Sequence, residues 1–201
     1  MEIFRRALEI LKEPRAFFHR LNEKGLKTAW IYYAVVSLIT VVLATVVGYF
    51  TTPVSASLMA KLFNIPTAAL TTATTIGFGW TVFMAILSYA IRLGTVFIGM
   101  AILYAWIYIF GGRASYTRTF QLGVYASTPS YLLGWIPYVG FIGGIWALVL
   151  LIIGTQEVHK LSRLKSILMY VIPVAIAVIF MALSITFLAI MTRTVPGMYA
   201  V

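Results

Sequence analysis

The chain has 201 residues, 62% of them apolar and only 10% charged. A soluble domain carries about half apolar and about a quarter charged residues, so a water-soluble fold is excluded and one all-α, helical membrane domain is expected. The formal net charge of +10 does not point to nucleic acid. Seven of the 15 Lys and Arg lie before residue 28, interleaved with acids and large apolar side chains and with no base-stacking platform, which marks a membrane-surface and topology signal.

Residues 1–28 read as an amphipathic basic segment. Ile3, Phe4, Ala7, Leu8 and Leu11 fall at helical spacing, with Arg5, Arg6, Glu9 and Lys12 opposite. Pro14 suits the first turn of a second helix bearing Phe17, Phe18 and Leu21, which Gly25 can end as a C-terminal cap. Such helices lie in the headgroup layer of anionic lipid, making Arg5, Arg6, Arg15, Phe17, Phe18 and Arg20 candidate lipid contacts. The plainer reading is that they anchor and orient the chain; docking of a partner is the other.

Five spans are predicted at about 29–51, 93–110, 119–136, 138–155 and 166–191. The first run is long enough to cross a hydrocarbon core of about 30 Å, and the polar residues before it mark a retained span, not a cleaved signal. Pro53 is expected to end it, with Val54 to Thr75 an outer loop. Ile76 to Phe110 is broken only by Arg92 and is too long for one upright helix. Its approach from residue 76 to 92 is expected at the outer interface or as part of a long tilted helix. WIPYVG around Pro137 is the hairpin turn between spans three and four, and Pro173 should kink the fifth. With the N-terminus cytoplasmic, most basic residues fall inside, only Lys61 and Arg193 outside, and residues 192–201 form an external tail. Six spans would reverse that bias at Arg113, Arg118 and Lys160 to Lys165. The chain is expected in the cell membrane.

Chemistry is sparsely represented. There is no Cys, no Asp, five Glu and two His, and no phosphate-binding loop, HExxH, paired aspartates or serine nucleophile turn. No enzyme, cofactor or metal site is expected. Glu157 and His159, with Ser162, form with Arg113 and Arg118 a candidate inner-face cluster. An i, i+2 pair does not share a helix face, so Glu157 is expected to accept from an inner arginine such as Arg113 or Arg118 or from a loop backbone amide, and Glu157→Gln to loosen the inner face more than Glu2→Gln. Ala126, Ser130 and Gly134, then Gly140 and Gly144, place small residues at a period of four, suited to close packing of the span three and four hairpin or to a dimer seam. Arg92 is an intramembrane charge and a functional candidate by default; it can also snorkel to the outer interface, about 31 Å of helix from Arg113.

The segment from Gly111 to Pro173 resembles the Yip family of polytopic membrane proteins, named for interaction with Ypt-type GTPases, in its prokaryotic form. The likeness is carried by the polar loop after span two, the YAS-P of Tyr125 to Pro129, the GWIP hairpin, and Glu157, His159 and Ser162. PRAFFHRLNEK from Pro14 is similar to the family's amphipathic lead-in. The resemblance implies a five-span helical domain with a cytoplasmic N-terminus, and by analogy small GTPases and other membrane proteins, or a second copy, as partners. The expected function is a non-enzymatic scaffold or adaptor that organises partners or anionic lipid with its basic inner face. The competing reading is a transporter, channel or lipid scramblase with a pathway near Arg92 and the Gly-rich hairpin.

Overall fold

The computed structural model describes residues 2–63 and 77–194. Within them the chain forms α1 (Glu2–Lys12), α2 (Pro14–Arg20), α3 (Lys27–Phe63), α4 (Phe78–Ile109), α5 (Tyr116–Ala126), α6 (Thr128–Leu133), α7 (Gly140–His159) and α8 (Arg163–Thr194), with no strand among the described residues. Four stretches are long and apolar enough to cross a bilayer: Lys27–Thr51, Phe78–Ile109, Gly140–His159 and Arg163–Phe187. The third predicted span takes the form of the short helices α5 and α6, which meet at Ser127.

α5 is the central helix. Every residue from Thr119 to Ala126 is buried, and α1, α3, α4 and α7 surround it. A helix enclosed by protein need not be apolar all round, which is why Gln121 is tolerated at its middle. The break at Ser127 follows from Pro129, which has no N–H to give the carbonyl of Tyr125. The Thr128 hydroxyl donates to that carbonyl instead, at 2.7 Å, and the Ser127 hydroxyl to that of Gly123 at 2.8 Å. No freed acceptor is left dry.

Two expectations about helix ends are corrected. Pro53 does not end the first helix, because α3 runs on to Phe63; a helix is the conformation that keeps backbone polar groups paired in an apolar run, even with the one bond lost to proline. Residues 54–63 of the expected outer loop are therefore helical, while 64–75 lie outside the described residues. Gly25 does not cap α2, which ends at Arg20; its φ of 77° lets the chain turn into α3.

α4 is one unbroken helix of 32 residues, about 48 Å long at 1.5 Å per residue. Its middle lies beside the start of α3: the Trp30 indole donates to the carbonyl of Leu93 at 3.4 Å, Tyr33 to that of Arg92 at 3.3 Å, and Tyr89 to that of Ala34 at 2.9 Å. Arg92, whose side chain is exposed, is thus level with the first turns of α3, not with its far end. Counting back from Arg113 misses this, because the two helices are offset along their axes. α8 is fastened near its start, where Met169 accepts from the Trp106 indole at 3.1 Å and Tyr170 bonds Thr155 at 2.9 Å. Beyond Pro173 it presents exposed apolar side chains such as Ile176, Phe180 and Leu183.

The hairpin from α6 to α7 closes on small residues. Ser130 donates to the carbonyl of Gly143 at 3.2 Å, and a Cβ on Gly143 would stand 2.7 Å from the carbonyl oxygen of Pro129. Gly140 meets Gly134 backbone to backbone, and Ala126 is fully buried. Gly144 is the exception: space around it is open, so Gly143 takes the packing position the four-residue period assigns to its neighbour.

Candidate inner-face contact site

The N-terminal helices are built into the bundle. On α1, Ala7 and Ile10 are buried. On α2, Phe18 sits against Gly154 of α7 and Leu122 of α5, in a notch that any side chain at position 154 would fill. Phe17 packs edge-to-face with the Tyr125 ring at 5.2 Å between centroids, and Tyr32 does the same at 5.0 Å.

A polar cluster lies beneath these rings. Arg6 donates through Nη1 to Glu23 and to the Tyr125 hydroxyl at 3.0 Å, and through Nη2 to Glu2 at 3.1 Å. Tyr125 gives its own proton to Glu23 Oε2 at 2.8 Å. Gln121, fully buried, donates to the carbonyls of Glu23 at 3.1 Å and Gly25 at 2.8 Å. The link between α2 and α3 is thereby tied to the central helix. Burial by itself would lower the Arg6 pKa, but its hydrogen bond to Glu23, with the attraction of the Glu23 carboxylate, outweighs it and raises the value. Glu23, Gln121, Tyr125 and Tyr32 were not among the expected site residues. The available signal was Gln121, a polar amide inside an apolar run.

Glu157 reaches a different partner from the one expected. Its carboxylate lies 3.4 Å from His19 Nδ1 and 3.9 Å from Arg15 Nε, both on α2. Arg113 instead lies over the Tyr108 ring at 4.6 Å, and Arg118 accompanies the start of α5, where its amide donates to the Ser115 hydroxyl at 3.4 Å. The reason is the packing of α2 along α7, which delivers two α2 side chains to the outward face of α7. His159, two positions on, turns inward and bonds Thr119 at 3.0 Å. Ser162 precedes α8, its carbonyl accepting the amide of Ser166 at 3.0 Å. The candidate cluster is thus divided. Among the described residues no three His, Cys, Asp or Glu side chains could hold a metal.

The six candidate lipid contacts are divided too. Arg5, Arg15 and Arg20 are exposed, Arg15 while beside Glu157 and Arg20 while bonded to Glu9 at 3.4 Å, whereas Arg6 is engaged with Glu23, Phe18 is buried and Phe17 packs against the core. The family model described as the Yip1 domain matches residues 8–185, which takes in α1 from Leu8, all of α2, the first three apolar stretches and the fourth as far as Ile185. The chain belongs to the Yip family. It is a multi-pass helical membrane protein whose Yip domain runs from within α1 to within α8. Comparison with curated proteins and with solved structures gives no match.

Proposed function

We propose that this Yip-family chain is a non-enzymatic membrane scaffold whose basic inner face is its contact surface for partners or anionic lipid. The observation that carries this reading is the clamp: Arg6, Glu23, Gln121 and Tyr125 hold α1 and α2 against the bundle and leave Arg5, Arg15 and Arg20 directed outward. A presented face of this kind suits recruitment, and by family analogy a small GTPase is a protein that could be recruited. The topology that goes with it has five spans, residues 1–28 at the cytoplasmic interface, a membrane domain over 29–191 and an external tail. Helices α5 and α6 support the fifth crossing: joined at Ser127, they contain 11 and 6 residues, together about 26 Å of helix at 1.5 Å per residue, and the chain returns through α7.

The transporter, channel or scramblase reading draws no support from the hairpin, whose facing surfaces are closed by Gly143 on Pro129. The groove between α3 and α4, lined by Leu38, Val42, Phe78 and Ile86, is apolar and offers nothing to an ion.

The test uses the full chain in neutral-lipid nanodiscs, titrated with vesicles containing phosphatidylglycerol. Replacing Arg5, Arg15 and Arg20 together by Gln should weaken vesicle binding more than tenfold, at about 1 kcal/mol per basic residue near an anionic surface. Arg6 is left intact because it belongs to the clamp. Undiminished binding would overturn the lipid part of the reading.

A further inference from the structure

α1 carries more apolar surface than the bundle uses. At 100° per residue, Ile3, Ala7 and Ile10 define the arc turned to the core, with Leu11 at its edge. Phe4 and Leu8, one turn apart, continue the apolar arc beyond the part the protein covers and are 60% and 55% exposed. Arg5 and Lys12, both exposed, stand along the far edge of that stripe. A free amphipathic helix could roll to hide Phe4 and Leu8. This one cannot, because Arg6 on its other flank is tied to Glu23 and Tyr125.

We infer that Phe4 and Leu8 form a wedge that inserts into the boundary between headgroups and acyl chains of an anionic bilayer, with Arg5 and Lys12 on the lipid phosphates. The occupant is identified by complementarity. An apolar pair bordered by cations matches a layer in which hydrocarbon lies directly beneath a negative surface. Phe17 and Phe18, the aromatic pair on α2, are used up in the core, so the insertion falls to the α1 stripe. This deepens the reading of the inner face as a contact surface and rests on it.

The chain has no cysteine, so a single Leu8→Cys change accepts an environment-sensitive dye with Phe4 kept in place. In nanodiscs the dye should emit at shorter wavelength as phosphatidylglycerol replaces phosphatidylcholine, while the same dye at Glu13→Cys stays unshifted. Phe4→Ser should reduce the shift, and Arg5→Gln or Lys12→Gln should each weaken the insertion equilibrium about fivefold. A dye at Leu8 that stays water-like in every lipid would overturn the wedge. Equal shifts in neutral and anionic lipid would overturn the headgroup contacts, and a shift that instead follows protein concentration in detergent would assign the stripe to a second copy. Vesicle binding, measured separately, can fail with the dye shift intact or hold with it lost, so the two readings fail independently.

Discussion

The phenol of Tyr125 and the carboxylate of Glu23 meet at 2.8 Å across 102 positions of sequence, and that contact joins the lead-in helices to the helix at the centre of the bundle. Tyr125 donates to Glu23 and accepts from Arg6, so one phenol mediates between a cation and an anion that are both largely covered. Removing any member leaves the others short of a partner in a poorly hydrated site, where an unpaired group costs more than an intact pair contributes.

Glu23→Gln should therefore destabilise the chain by about 2 kcal/mol, since it leaves the Arg6 guanidinium without its counter-charge. For a chain of this size that corresponds to a drop of about 4–8 °C in thermal midpoint. Tyr125→Phe should cost about 1 kcal/mol, and the double variant less than the sum, because both act on one network. Strict additivity would show that the cluster does not act as a unit.

Glu157→Gln should cost under about 1 kcal/mol and lose its effect at high salt. Its partners Arg15 and His19 are 68% exposed, so solvent screens the pair. The expected order of destabilisation is Glu23, then Glu157, then Glu2, whose side chain is itself 68% exposed. A loss at Glu157 equal to that at Glu23 would place the main inner-face contact on α7 instead of α5.

Gly154→Leu should dislodge α2. The new side chain takes the space that Phe18 and Leu122 now fill, so amide hydrogen exchange in α2 should quicken at least tenfold while α5 stays protected. Phe18→Ala should produce the same pattern at about 3 kcal/mol. Unchanged exchange in both variants would show that α2 is held by its ion pairs alone.

Gly143→Leu should disrupt the hairpin by about 2 kcal/mol or more, because Pro129 and Leu133 already stand at contact distance from that position. Gly144→Leu meets open space and should be tolerated. A dimer seam at Gly144 would reverse the order, with Gly144→Leu lowering the apparent mass in detergent and Gly143→Leu leaving it intact.

Topology is open to a direct check in a chain free of cysteine. A probe at Ser57→Cys should react with an impermeant reagent from the external side, and one at Ser162→Cys from the cytoplasmic side. Reaction of both from one side would rule out five spans.

Much of this architecture was determined locally. Continuous apolar runs long enough to cross a bilayer must become helices, since a helix pairs all its backbone groups within the segment whereas a strand can do so only in a closed barrel, and the Pro14 and Pro137 signals fall where α2 begins and where the hairpin turns. The Tyr125 to Pro129 motif and Glu157 with His159 carried the family likeness for the same reason: they sit together in sequence. The partners were a different matter. Glu157 faces Arg15 and His19, and Glu23 faces Gln121 and Tyr125, across more than 90 residues of sequence through packing of the N-terminal segment on α5 and α7. Which apolar residues of those two helices stay exposed was likewise undecidable from periodicity, because Phe4 and Phe18 have the same chemistry. Helical spacing decides which side chains share a face; only the tertiary structure decides what that face meets. Here Phe18 meets the notch at Gly154, while Phe4 is left largely exposed.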